Sequence, residues 1–248
     1  MKKTVVFGAA GWLGRAVLQN LAGHHQLRAF DYGPEAWGAW AETDGGWDGG
    51  ETIHGDLASY PTVEKAVSGM DYIIHTAVYF GAKPDDDKPF LINLKGLWNV
   101  LQIAHEQGIE KVVHIGSCQT VHPKGVFFES DVRRPDGSLY AVGKRLQEEM
   151  CRQFHEAFEL PIVVLRPDYI VDSRIGLGRQ REKLENLRNG CVCRHDLAQA
   201  CRLALENEAV KFDILHTVGM PEADATCNTA RGRDLLGLTY EGDLDQYR

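Results

Sequence analysis

The turn Gly8-Ala9-Ala10-Gly11-Trp12-Leu13-Gly14 constrains this chain more than any other stretch. It follows an apolar strand pattern, Thr4-Val5-Val6-Phe7, and leads into a helical one, Arg15-Ala16-Val17-Leu18-Gln19-Asn20-Leu21. A dinucleotide pyrophosphate needs that strand–turn–helix context. Glycine lets the backbone approach the phosphates, and the helix start at Trp12 and Leu13 offers N–H groups and a positive dipole. Far downstream, Tyr140 and Lys144 in Tyr-Ala-Val-Gly-Lys lie four residues apart, hence on one face of a helix. A phenol beside a fixed ammonium can give or take a proton. The two motifs together imply nicotinamide redox chemistry at a hydroxyl or carbonyl.

Apolar β-branched runs alternate with helical patterns along the 248 residues, which predicts right-handed βαβ units in a parallel sheet. Strands are expected at 4–7, 27–30, 51–54, 71–75, 111–115, 162–165 and 212–217. Helices are expected near 12–23, 60–68, 88–107, 138–158, 195–207 and 226–236. One α/β unit over 1–248 suits this length. Residues 33–50 carry Trp37, Trp40 and Trp47 and read as an irregular excursion. It is either a binding or partner surface or tryptophan packing over a sheet edge. Asp85-Asp86-Asp87 reads as a solvated turn, and no metal site is expected.

A net charge of −8 argues against nucleic acid or an anionic membrane as partner. No apolar stretch reaches the length of a membrane span. The apolar run after Met1-Lys2-Lys3 breaks at Gly8 without a cleavage site, so a first strand is expected rather than a leader. Cys118, Cys151, Cys191, Cys193, Cys201 and Cys227 show no framework spacing, which points to reduced thiols in a cytoplasm.

Asp31 ends the second strand, where a carboxylate would accept hydrogen bonds from an adenosine ribose and repel a 2′-phosphate. That favours NAD over NADP. Asp56, after the third strand, is placed to reach the adenine amino group. The small residues Thr76, Ala77 and Val78 end the fourth strand and let backbone pass close to the cofactor.

With these motifs in order, the chain resembles the extended short-chain dehydrogenase/reductases, or NAD-dependent epimerase/dehydratases. The likeness rests on Gly8-x-x-Gly11-x-x-Gly14, Asp31, Gly55-Asp56-Leu57, Asn93-x-x-Gly96, Tyr140-x-x-x-Lys144 and Arg166-Pro167, and covers nearly the whole chain. It implies a Rossmann-type doubly wound sheet, with 1–167 mainly NAD-binding. A small C-terminal substrate region would be built from 168–190 and 219–248. It also implies cofactor contacts at Leu57, Asn93 and Pro167. In the family mechanism Tyr140 is the acid/base, Lys144 orients the ribose and lowers the phenol pKa, and a Ser or Thr binds the substrate oxygen. A free phenol, with a pKa of about 10, is a poor base near neutrality, so neighbouring positive charge is needed.

The third catalytic position departs from that pattern. Counting back from Val121 it falls on Cys118, whose thiol is a weak donor. Ser117 after a local shift, Thr120, or Cys118 itself are the three readings, with Ser117 favoured. Gln119 and Thr120 occupy the places where a dehydratase carries extra carboxylates, and with Ser117 they are expected to line the substrate.

Within the family, Arg134-Pro135-Asp136-Gly137-Ser138-Leu139-Tyr140-Ala141-Val142-Gly143-Lys144 is similar to the tyrosine segment of uronate dehydrogenases. That resemblance implies NAD-dependent oxidation of a hexuronic acid to its lactone. A carboxylate substrate calls for a guanidinium fork. Arg174, beyond the sixth strand, is the expected partner, with Arg179 and Arg181 next; residues 179–183 otherwise read as a solvated helix face. Two other functions stay open: a sugar or nucleotide-sugar epimerase, and a non-catalytic NAD(H)-binding sensor suggested by Cys118. The resemblance also implies a homodimer through the helices carrying Asn93 and Tyr140. Leu101, Ala104 and Met150 would supply either that face or the core.

Overall fold

Hydrophobic β-branched runs buried on both sides make good parallel strands, and the chain uses them so. The computed structural model describes residues 1–81, 83, 85–122, 134 and 136–248; Pro135 of the tyrosine segment lies outside them. The first six strands are β1 (Lys3–Phe7), β2 (Gln26–Asp31), β3 (Gly50–His54), β4 (Tyr72–His75), β5 (Lys111–Ile115) and β6 (Ile162–Arg166). Three short strands, β7 (Tyr169–Asp172), β8 (Leu177–Gly178) and β9 (Cys191–Cys193), form a second sheet; β10 (Phe212–His216) returns to the first. The main sheet runs β10-β6-β5-β4-β1-β2-β3, parallel throughout. Its order reverses between β1 and β4, the switch point where open α/β sheets bind ligands.

Helices cover both faces. In chain order they are α1 (Trp12–Leu21), α2 (Ala41–Asp44), α3 (Tyr60–Val67), α4 (Lys88–Phe90), α5 (Gly96–Glu106), α6 (Leu139–Phe158), α7 (Arg194–Glu206) and α8 (Ala230–Leu236). Val17 and Leu21 of α1 pack with Leu197 and Cys201 of α7 on one side of the sheet. Val63, Leu101 and Cys151, from α3, α5 and α6, pack on the other. The result is a Rossmann-type, doubly wound α/β fold. Leu101 and Ala104 are fully buried and Met150 packs on the same core, so the exposed apolar side chains of these helices are others: Trp98, Val142, Leu146 and Phe158. No helix among the described residues is long and apolar enough to cross a membrane.

The structure corrects several expectations. The helix expected at 226–236 starts only at Ala230, because the preceding backbone turns (Cys227 N–H to the Ala223 carbonyl, Thr229 N–H to that of Cys227). The helix at 88–107 is interrupted by a π-helical stretch, Leu91–Lys95. Residues 179–183 are not helical: Arg181 N–H closes a turn on the Gly178 carbonyl at 3.0 Å, with φ of 65° at Arg181. Within 33–50, a 3₁₀ helix (Pro34–Trp40) runs into α2, and Trp40 packs on Trp12, ring centroids 4.3 Å apart. The tryptophans thus surround the start of α1. Arg15 donates to the Gly45 carbonyl at 2.6 Å, and buried Arg194 grips Asp44 through two 2.7 Å bonds. Arg194 also bonds Asp172 at 2.7 Å and the Trp12 carbonyl at 3.2 Å, tying this segment, the small sheet and the glycine turn together.

Candidate active site

The glycine turn leaves β1 and passes under the end of β4. Gly8 has φ of 78°, and a Cβ there would stand 2.7 Å from the Ala77 Cα and backbone N and 2.8 Å from Thr76 Oγ1. Only glycine allows that approach. Thr76 Oγ1 donates to the Phe7 carbonyl at 2.9 Å and fixes the crossing; Ala77 and Val78 continue it, half-buried. Gly14 is equally constrained, since a Cβ would strike the Gly8 carbonyl and Ala9. Gly11 precedes α1, whose first-turn amides at Trp12, Leu13 and Gly14 have no carbonyl four residues back within the helix. The side chains of Trp12 and Leu13 are buried, so backbone N–H groups are what they offer a phosphate.

Asp31 sits at the end of β2, with Oδ2 accepting the Ala10 N–H at 2.8 Å and Oδ1 that of Tyr32 at 2.9 Å. Burial pushes its carboxyl up, against the pull of those two amides. Asp56 is exposed beyond β3 and caps its own turn through the Ala58 N–H at 2.8 Å. Leu57 is buried, its carbonyl taking the Asn99 amide at 2.8 Å. Asn93 spends its side chain on the Tyr79 backbone, accepting from its N–H at 2.8 Å and donating to its carbonyl at 2.9 Å. Its side chain therefore fixes the backbone at Tyr79. These residues fit a dinucleotide: a glycine cradle at a helix start, with a carboxylate at the next strand end.

Tyr140 and Lys144 share a face of α6, which Ser138 starts by accepting the Ala141 N–H at 3.2 Å. Lys144 is buried and donates to the Ile115 carbonyl at 2.7 Å, locking it to the end of β5. Desolvation lowers its ammonium to about 8, while Glu148 and Cys151 oppose the fall. Glu148 in turn holds Arg166 through bonds of 2.8 and 2.6 Å. Burial pushes the Tyr140 phenol up; the Ser117 hydroxyl and the Arg179 guanidinium pull it back down.

Of the three candidates for the hydroxyl, Ser117 is the one facing the phenol; its Oγ also accepts the Gln119 N–H at 3.1 Å. Thr120 donates back to the Ser117 carbonyl at 2.9 Å. Cys118 N–H bonds the Pro167 carbonyl at 2.9 Å, and its thiol donates to the Arg166 carbonyl at 3.2 Å. Gln119 donates to Asp136 at 3.0 Å.

Beside Tyr140 lies a cavity of about 140 Å³ lined by Tyr79, Phe80, Phe90, Asn93, Leu139 and Leu146 among others. Phe80, which carries no signal in the sequence, stacks on Tyr140 with centroids 5.6 Å apart, and Arg179 lies 4.1 Å over Phe80. Arg174, the expected carboxylate partner, is exposed and lines a different cavity, of about 400 Å³, with Asp196 and Glu241. Arg179, packed over Phe80, is instead the arginine whose charge reaches Tyr140. Arg181 instead pairs with Glu42 at 2.8 Å.

A Rossmann-type sheet with a glycine turn at its switch point and a Tyr-Lys pair on α6 is the arrangement of the short-chain dehydrogenase/reductases. The NAD dependent epimerase/dehydratase family matches residues 4–192, and the chain belongs to it, with NAD as cofactor. It is 31% identical over 169 residues to a uronate dehydrogenase of Agrobacterium fabrum, a match covering 67% of this chain and 60% of that one. Matches to the first curated relatives span only 44–60% of their lengths. Among solved structures, uronate dehydrogenase from Agrobacterium tumefaciens superposes with a TM-score of 0.77 at 24% identity, covering 100% of this chain and 87% of that one. UDP-glucuronic acid 4-epimerase from Bacillus cereus, in complex with NAD, gives 0.79 at 17%, covering 99% and 95%.

Proposed function

We propose that the protein oxidises a hydroxyl of a small sugar acid, a uronate or close analogue, and passes the hydride to NAD. The observation that carries this reading is the approach of Arg179 to Tyr140 across Phe80. A guanidinium there would bind a carboxylate through two parallel bonds while the reacting hydroxyl sits between Ser117 and Tyr140. The similarity to a uronate dehydrogenase supports the same choice.

When bound, NAD supplies the hydride acceptor and a positive ring next to the phenol. Ser117 donates a hydrogen bond to the substrate oxygen, and Tyr140 as phenolate removes its proton. Arg179 and Ser117 favour that phenolate against the cost of burial. Lys144, held on the Ile115 carbonyl, would hold the nicotinamide ribose, and Asp31 would hold the adenosine ribose. Residues 168–190 and 219–248 build the substrate side. The same reading makes the protein a cytoplasmic homodimer, paired through the helices that expose Trp98, Val142 and Leu146. The test is NADH absorbance on mixing protein and NAD with uronates and neutral aldoses, alongside Tyr140→Phe. NADH formed with uronates alone and abolished in the variant supports the reading. Tight NAD binding without net NADH favours the epimerase or the sensor.

A further inference from the structure

Two cysteines from distant parts of the chain meet behind the Ser117 turn. Cys118 opens the 3₁₀ turn Cys118–Thr120, and Cys227 lies between the 3₁₀ helix Pro221–Ala225 and α8. They are 2% and 1% exposed, in one packed group with Val218 and Ala223. Cys118 Sγ stands 3.4 Å from His216 Nδ1 at the end of β10. The two thiols share that packed group, and each shifts the other's titration. Contact with Cys118, then with His216, lowers the Cys227 thiol to about 6, whereas burial raises that of Cys118. Neither sulfur has a task in the hydride chemistry. A thiol that ionises more readily, packed with one that burial keeps protonated, matches an attacking and a resolving cysteine.

We propose that Cys118 and Cys227 are a peroxide-oxidised dithiol site whose disulfide links the Ser117 turn to the C-terminal segment. The Cys227 thiolate attacks hydrogen peroxide: an S–O bond forms, the O–O bond breaks, and hydroxide leaves. The Cys118 thiol then attacks the sulfenic sulfur, forming S–S and breaking S–OH, with its proton and the hydroxyl group leaving as water. Two thiols and one peroxide become one disulfide and two waters, and a small-molecule dithiol reverses the change. The link pulls Cys118 away from the Arg166 carbonyl and moves the neighbouring Ser117 hydroxyl off Tyr140. Turnover then falls about tenfold or more, an effect that rests on the proposed dehydrogenase reading.

The bond itself is read without activity. The reduced full chain is treated with hydrogen peroxide, its thiols are counted after denaturation, and its peptides are mapped under non-reducing conditions. The expected result is loss of two of the six thiols and one cross-linked peptide joining Cys118 to Cys227. Dithiothreitol should restore the thiols. Cys227→Ser, with its basal turnover unchanged, should not cross-link, whereas Cys151→Ser should cross-link as the parent does. Six retained thiols, pairing of other cysteines, or oxidation stopping at a single sulfonic acid would each overturn the proposal. A cross-link without change in NADH formation would keep the site and refute its coupling to Ser117.

Discussion

Arg179 sits over Phe80, its guanidinium carbon 4.1 Å from the centre of the ring that stacks on Tyr140. Phe80 thereby holds the cation near Tyr140. Arg179→Met should raise KM for a uronate by about 10- to 100-fold, the worth of charge-assisted hydrogen bonds. Activity on a neutral aldose should stay near the parent's. Arg174→Ala should change neither. Steady-state kinetics on the two substrates checks all three, and the reverse pattern would return the carboxylate to Arg174.

Asp31 sets cofactor choice through a buried negative charge at the end of β2. Asp31→Asn keeps an acceptor for the Ala10 N–H but loses the repulsion of a 2′-phosphate. NAD affinity should fall about tenfold and the preference over NADP should shrink. Fluorescence titration with both cofactors measures it; an unchanged ratio would show that Asp31 is only structural.

His75 and His114 face each other across β4 and β5, Nδ1 to Nδ1 at 3.2 Å, both fully buried. Desolvation, then the nearby Lys144 charge, lowers His75 to about 3 and drives His114 far down as well. Between about 3 and the ordinary value of 6.5, the unfolded chain binds protons that the folded one refuses. Stability therefore rises with pH across that window and is lost as pH falls through it. Lys144 has the same sign at higher pH: stability should rise between about 8 and 10.5 as its buried charge is given up. His75→Leu with His114→Leu should flatten the acid limb of the Tm–pH curve. A limb of unchanged slope would assign acid unfolding to the carboxylates.

Asp44 neutralises Arg194 from the Trp-rich segment, with side chains 5% and 2% exposed. Asp44→Ala leaves that guanidinium on Asp172 alone, and denaturant unfolding should show a loss of about 3 kcal/mol. Because Arg194 also holds the Trp12 carbonyl, NAD affinity should weaken in parallel.

The βαβ core was legible because the central strands of the main sheet are buried apolar runs separated by helical patterns; Lys111–Ile115 agrees residue for residue. The second sheet left no such trace. Its strands span only two to four residues, too short for a period, and Tyr169 follows β6 after only Pro167 and Asp168. The same gap hid which arginine faces Tyr140, since the turns at 173–176 and 178–181, not residue type, aim Arg174 and Arg179. Ser117 and Cys118 could not be separated by composition either. Their side chains point to opposite sides of one turn, towards Tyr140 and towards Arg166 and His216.

The central claim is hydride transfer from substrate to NAD, with Tyr140 taking the proton. A uronate carrying deuterium on its reacting carbon, incubated with protein and NAD, tests it directly by NMR of the recovered cofactor. The account predicts NADH labelled on one face of the nicotinamide, formed about 10² to 10⁴ times more slowly by Tyr140→Phe at unchanged NAD affinity. Sugar recovered with inverted configuration and its deuterium intact, with no labelled NADH, would contradict it.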